Sequence, residues 1–266
     1  MEQKRKGARS FNDLSQDILN QLNSGEIESA NLTEWLAVNQ TLLLQNLLQQ
    51  HNKIHYLEPI LAEIAKLKKQ TTNTLNETIG IGLLNETSKR NDSQFLKDIS
   101  SHTSDTVRCW ITYTIGLNSE LSLSEKLEQI QPFAADTHFG VREISWMTVR
   151  QSIIANLEES LQIFTKWTSS ENENVRRFAT EATRPRGVWC EHIEALKQNP
   201  ELALPILEPL KSDSSKYVCD SVGNWLNDAS KTQPQFVIDL CKKWEKESPT
   251  KATAYIVKKA MRTLNK

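Results

Sequence analysis

Between Asn172 and Cys190 the chain carries four arginines, Arg176, Arg177, Arg184 and Arg186, against two glutamates, Glu173 and Glu181, and no lysine. A guanidinium presents a flat fork of donors that meets two phosphate oxygens at once, whereas lysine is the usual choice where only solubility is needed. The segment therefore has the chemistry of phosphate-backbone recognition, with an ordinary charged helix face as the plain alternative. Arg184 and Arg186 flank Pro185, Gly187 frees the turn, and Trp189 stands where a short added helix would begin. An aromatic beside phosphate-binding arginines stacks on a base or a sugar; without such neighbours it fills a core.

Something must hold these arginines on one surface. Val107-Arg108, Val141-Arg142 and Val175-Arg176 recur at intervals of 34 residues, and Val218-Cys219 follows 43 residues later as a degenerate copy. A capping-type residue, Asp105, Asp136, Asn172 or Asp213, precedes each copy, so each opens a helical pattern. Such a period is the signature of a helix pair repeated along the chain. The fold expected is all-α, a right-handed α-solenoid of HEAT-like repeats whose equivalent second helices line a concave groove. Arginines at one repeat position then form a ladder that either faces a ligand or ties neighbouring repeats together through aspartates. The nine extra residues of the long interval fall between Arg184 and Gln198, in the stretch that carries Trp189.

The composition agrees. A chain of 266 residues with 38% hydrophobic content can bury a core, and eight glycines and eight prolines are too few for the turns of a β-sandwich. The net charge of −1 leaves any local basic face undecided. Cys109, Cys190, Cys219 and Cys241 lie far apart with no C-x-x-C pair, which disfavours structural zinc and a disulfide framework. No signal-peptide run and no apolar stretch of 18 residues occurs, so a cytoplasmic protein without a membrane partner is expected. Residues 1–10 read as a flexible basic leader and 11–266 as a single repeat domain. Apolar spacing predicts helices over 11–22, 31–50, 55–69 and 71–84, the last weakened by Gly80 and Gly82. Further on, helices are predicted over 122–133 behind a Ser122/Glu125 capping box, then 136–153, 156–168 and 172–183. Another begins at Asn199-Pro200-Glu201, followed by 213–230, 234–244 and 250–264.

The segment Val175-Arg-Arg-Phe-Ala-Thr-Glu-Ala-Thr-Arg-Pro-Arg-Gly-Val-Trp189 and the later Ser212-Asp-Ser-Ser-Lys-Tyr-Val-Cys-Asp-Ser-Val-Gly-Asn-Trp-Leu-Asn-Asp228 resemble the HEAT-repeat DNA alkylation repair glycosylases. Within that superfamily the AlkC branch is the most similar, and Gly25-Glu-Ile-Glu-Ser-Ala-Asn-Leu-Thr-Glu-Trp-Leu-Ala-Val38 resembles it too. The likeness extends over nearly the whole chain.

The resemblance implies hydrolysis of the N-glycosidic bond of N3-alkylated bases, 3-methyladenine and in this branch 3-methylcytosine, within duplex DNA lying in the concave DNA-binding groove. It also implies a site that joins an aromatic wall, Trp189, to a catalytic carboxylate, Asp228, with Glu143 of Phe139-Gly-Val-Arg-Glu143 as the second acid. Arg142, Arg150, Arg176, Arg177, Arg184, Arg186 and Lys216 are the expected DNA contacts. No metal and no organic cofactor is implied, and a monomer is expected. Asp228 falls near the carboxyl end of its helix, where the macrodipole disfavours an acid, and a plain helix-ending turn at Asn227-Asp228 is the alternative. Glu143 sits in a first turn, where an acid needs no functional reason.

Two departures follow. Cys219 stands where the resemblance leads to arginine, with Lys216 nearby as a substitute point charge. The chain also reaches Lys266 without the immunoglobulin-like extension that some members of the branch carry, so duplex grip by such an extension is not expected. A non-catalytic member of the same superfamily that binds branched or damaged DNA is the alternative, and a HEAT-type protein-interaction scaffold a further one.

Overall fold

The computed structural model describes residues 5–188 and 190–265; Trp189, the expected aromatic wall, lies outside them. Every regular element among the described residues is helical. The chain divides into two compact units, one of residues 1–121 and 138–148, the other of 122–137 and 149–266.

In the first unit the helices are α1 (Gln16–Ser24), α2 (Leu32–Ala37), α3 (Gln40–Gln50), α4 (Leu57–Ala65), α5 (Thr72–Lys89), α6 (Ser93–Ile99) and α7 (Asp105–Gly116). Two predicted helices are each cut in two, for the same reason: a short polar side chain offers the backbone a cap instead of a further turn. Over 11–22, Ser15 accepts from Ile18 N at 3.3 Å and starts α1 after a short 3-10 turn, and Gly25 ends it in the left-handed region at φ 79°. Over 31–50, Asn39 accepts from Leu42 N at 3.1 Å and separates α2 from α3.

Where it is described, the leader makes contacts with the first unit. Arg5 donates through Nη1 and Nη2 to Glu34 at 2.7 and 2.6 Å, Ala8 N donates to the same carboxylate at 3.1 Å, and Glu34 is buried. The glycines that weaken α5 as a sequence pattern mark a close approach. A Cβ on Gly80 would lie 2.4 Å from Tyr113 Cβ and 2.8 Å from the Trp110 carbonyl of α7. Asp105 opens α7 but does not cap it; buried, it accepts from both the amide and the hydroxyl of Ser29 at 2.9 Å.

The second unit holds α8 (Leu123–Ala134), the end of α9 (Phe139–Ala155), α10 (Leu157–Trp167), α11 (Glu173–Glu181), α12 (Glu194–Gln198), α13 (Leu204–Leu207), α14 (Lys216–Ala229), α15 (Pro234–Glu247) and α16 (Lys251–Ala260). The Ser122/Glu125 capping box forms in both directions, at 2.8 and 3.3 Å. The helix predicted from Asn199 is instead α13 between two 3-10 turns, because Pro200, Pro205 and Pro209 each remove an amide donor from what would be one helix. Asp213 does not cap α14; Ser215 does, accepting from Tyr217 N at 3.2 Å. The alternation of a first and a second helix survives as α10 with α11, α12–α13 with α14, and α15 with α16. The valine of each repeat copy, Val107, Val141, Val175 and Val218, is buried. Trp225 of α14 is fully buried and donates from Nε1 to the Thr183 carbonyl at 3.0 Å, which fixes α14 against the end of α11.

Candidate active site

The last turn of α14 and the end of α11 bring two acids to one arginine. Asp228 and Glu181 are 3% and 6% exposed, so each needs charge and hydrogen-bond partners to remain ionised. Arg184, just past α11, supplies both. It donates from Nε to Asp228 Oδ2 at 2.9 Å, with Nη2 2.7 Å from the same oxygen, and from Nη1 to Glu181 Oε1 at 3.0 Å. Lys231 takes the other Asp228 oxygen at 3.1 Å. Glu181 Oε2 accepts from Ser221 Oγ at 2.8 Å and lies 3.4 Å from Arg177 Nη2, while Thr180 donates to Ser221 at 2.8 Å.

Burial pushes the Glu181 carboxyl up, but Arg177 and Arg184 outweigh it and hold the group below its ordinary range. Burial likewise lowers the Arg184 guanidinium, and the two carboxylates more than reverse that. The cluster therefore sets two buried carboxylates beside two arginines. It can face a developing positive charge with the acids and a phosphate with the guanidinium forks. Arg177 lies over the Tyr217 ring at 4.3 Å, which holds its plane. The Nε of half-buried Arg186 finds no acceptor among the described residues.

Glu181 was not among the expected site residues. Its signal was nevertheless present: it stands four residues after Arg177 and three before Arg184, so on a helix it meets both. Glu143, expected as the second acid, belongs to the first unit, where it accepts from Trp146 Nε1 at 2.9 Å. Within the second unit the acid that shares a guanidinium with Asp228 is Glu181.

Arg150, expected as a DNA contact, lies buried in the scaffold. It is 2% exposed and donates from Nη1 to the Ala182 carbonyl at 2.6 Å, from Nη2 to the Arg184 and Glu191 carbonyls at 2.7 and 2.9 Å, and from Nε to Glu191 at 3.2 Å. Burial lowers its pKa from the ordinary value. The loop carrying Arg184 is thus built around a buried cation, and Ile193 N closes it on the Pro185 carbonyl at 3.1 Å. A Cβ on Gly187 would meet Cys190 Sγ at 2.2 Å, so Cys190 would have to move to admit one.

The Val-Arg ladder also resolves toward structure at two of its positions. Arg108 Nη1 donates to the carbonyls of His102 and Thr103 at 2.7 and 2.8 Å, six and five residues back. Arg176 Nη1 makes the same pair of bonds to Ser170 and Glu171 at 2.9 and 3.1 Å. Its Nε and Nη2 grip Asp213 at 2.7 and 2.9 Å, so Arg176, expected as a phosphate contact, ties one repeat to the next. The degenerate copy keeps the local half of this pattern: Cys219 Sγ donates to the Asp213 carbonyl, six residues back, at 3.2 Å. Arg142 is half-buried on α9 in the first unit. Lys216 is exposed at the start of α14, pairs with Asp220 at 2.9 Å and lies 5.0 Å from the Tyr255 ring centre.

Burial pushes the Cys219 thiol up to about 11 and that of Cys241 up to about 12, and raises Cys190 as well. Among the described residues, no group of three His, Cys, Asp or Glu side chains is arranged to hold a metal ion. No described helix is long and apolar enough to cross a membrane.

A model of a family described as DNA alkylation repair enzyme matches residues 135–264. Over 139 residues, 52% of the chain, the sequence is 39% identical to the uncharacterized protein YhaZ of Bacillus subtilis (strain 168), and the match spans 38% of that relative's length. Among solved structures, the chain is similar to the Pseudomonas fluorescens alkylpurine DNA glycosylase AlkC bound to DNA containing an abasic site analog. That likeness has a TM-score of 0.68 at 21% identity and covers 94% of this chain and 63% of that one. It is also similar to AlkD2 from Streptococcus mutans, with a TM-score of 0.61 at 22% identity over 81% of this chain and 98% of that one. At these identities the likeness shows the fold, an all-α stack of HEAT-like helix pairs.

Proposed function

We propose that the chain, whose residues 135–264 match the model of the DNA alkylation repair enzyme family, is a DNA glycosylase that releases N3-alkylated bases from duplex DNA. The observation that carries this reading is the pair of buried carboxylates, Asp228 and Glu181, held by Arg184. A base alkylated at N3 is already a cation, so it departs as a neutral molecule once the glycosidic bond stretches, and no strong acid is needed. What remains is positive charge on the deoxyribose, which a carboxylate a few ångströms away stabilises. Water then adds to the anomeric carbon and gives its proton to a carboxylate or to solvent. Asp228 faces the sugar in this reading, Glu181 takes the second acidic role, and Trp189 is the aromatic wall.

Selectivity follows from leaving-group chemistry. Cationic adducts depart readily, so 3-methyladenine and 3-methylcytosine are the substrates proposed, and efficient release of a neutral lesion would overturn the mechanism. Arg177, Arg184 and Arg186 are the proposed backbone contacts, consistent with the DNA-bound relative of similar fold. The test is a time course of 3-methyladenine release from methylated DNA by wild type, Asp228→Asn, Glu181→Gln and Trp189→Ala. Loss of release in the acid variants with retained duplex binding is expected.

A second reading is a protein that binds damaged DNA without cleaving it. It is favoured by the fact that Arg184 and Lys231 already occupy both oxygens of Asp228, as in a purely structural ion pair. Wild type and Asp228→Asn both acting at the spontaneous rate would establish it. Failure to bind DNA even at low salt, where phosphate contacts are strongest, would leave a protein scaffold instead.

A further inference from the structure

A second basic feature of the same unit lies outside the arginine cluster. Tyr255, Lys258, Lys259, Arg262 and Asn265 line a pocket of about 440 Å³ at the carboxy-terminal end of α16. Three of the five lining side chains are cations and none is an acid. One carboxylate stands beside the pocket: Asp220 of α14 accepts from Tyr255 Oη at 2.6 Å, from Lys216 at 2.9 Å and from Lys259. That acid engages Lys216 and Lys259, which leaves Lys258 and Arg262 without a carboxylate among the described residues. Both are exposed, and Arg262 reaches only Asn224, at 3.4 Å.

Cations in the last turn of a helix are favoured by its macrodipole, and that accounts for lysines at 258 and 259. It does not account for the concavity or for Arg262, which lies beyond the helix. Nor, among the described residues, does any of the three side chains donate to a carbonyl of the helix end. The positive field of Lys258 and Arg262 is therefore available to an anion.

The pocket is joined to the turn that carries Asp228. Thr263 donates from N and Oγ1 to Asn227 at 3.1 and 3.0 Å, so the chain after α16 is pinned beside the last turn of α14. Asn224, which Arg262 touches, precedes Asp228 by four residues on the same helix face, roughly 6 Å away. One strand of duplex DNA rises about 3.4 Å per nucleotide, so that separation is about two nucleotides.

We propose that Lys258, Lys259 and Arg262 form a phosphodiester-binding pocket that holds the DNA backbone one or two nucleotides from the sugar facing Asp228, an inference that rests on the glycosylase reading above. The anion is a backbone phosphate, and Asp220 serves to position Lys259 and Tyr255 at its rim.

The experiment measures binding of the full chain to a short duplex with an abasic-site analogue over a salt series, for wild type, Lys258→Gln/Arg262→Gln and Lys251→Gln. Lys251 is exposed at the opposite end of α16 and serves as a charge control. The double variant is expected to bind about tenfold more weakly at low salt and to lower the salt slope by about one to two, with the Lys251 variant matching wild type. Unchanged slope in the double variant, or an equal fall in the Lys251 variant, overturns the pocket. Inorganic phosphate is tested by calorimetry beside it; phosphate binding that depends on Lys258 and Arg262 while the DNA slope stays unchanged would mean a free-phosphate site and overturn the proposal. Base release by wild type is read in parallel. Release with an unchanged slope defeats the pocket alone, whereas a reduced slope without release supports the pocket and defeats the glycosylase reading.

Discussion

Arg184 Nη2 lies 2.7 Å from Asp228 Oδ2 while Nη1 of the same guanidinium donates to Glu181 at 3.0 Å. One cation therefore holds two buried acids that come from different helices. Arg150 holds the loop that delivers it, bonding to the Arg184 carbonyl at 2.7 Å.

Replacing Asp228 by Asn keeps the shape and removes the charge. Base release from methylated DNA is expected to fall about 100- to 1000-fold, the usual loss when one electrostatic stabiliser is removed. Duplex affinity should be retained, because the arginines remain. Release at the wild-type rate would remove Asp228 from the chemistry.

Arg184→Met leaves two buried carboxylates sharing too little positive charge. Chemical denaturation at neutral pH should show a loss of about 3–5 kcal/mol. The pH dependence should change as well. Glu181 has a folded pKa below its ordinary 4.5, so its stabilising contribution is complete above that value and is lost as pH falls through the folded pKa. Wild type should thus weaken on acidification below about pH 4.5, and the variant should lose most of that dependence.

Arg150→Met tests the scaffold role directly. Three carbonyls would lose their donor, and at about 1–3 kcal/mol for each unsatisfied buried group the thermal midpoint should drop by several degrees. Because Arg150 touches no phosphate in this assignment, the slope of DNA affinity against salt should stay at the wild-type value. A fall of about one in that slope would restore Arg150 as a DNA contact.

Gly80→Ala pits helix propensity against packing. Alanine favours a helix by about 1 kcal/mol over glycine, yet the new Cβ would lie 2.4 Å from Tyr113 Cβ. Overpacking of this kind costs about 1–3 kcal/mol, and α5 or α7 must shift. Calorimetry should find the variant less stable, and a stabilised variant would show that the two helices are free to part.

Much of this architecture was legible in the sequence because helix pairs advertise themselves through apolar spacing and caps. The Ser122/Glu125 box, the Asn172 cap and the Val-Arg period all appear where expected. The misplacements share a cause: Ser15, Asn39 and the prolines at 200, 205 and 209 act over three or four residues, too locally for apolar periodicity to register. The site was half legible. Asp228 and Arg184 stood out by type and position, whereas the pairing of Asp228 with Glu181 depends on Trp225 locking α14 to α11, a contact between residues 42 apart. Arg150 has the letter of a phosphate ligand although its guanidinium is buried and satisfied by carbonyls, a difference that sequence does not carry.

The suppressed acidity of Cys190, Cys219 and Cys241 has a chemical meaning of its own. The electrophiles that methylate ring nitrogens also methylate sulfur, and they react with the thiolate in preference to the thiol. With its thiol at about 11, roughly one Cys219 in ten thousand is ionised at neutral pH, and Cys241 less often still. Cys219 and Cys241 should therefore survive a dose of methylating reagent that consumes free glutathione.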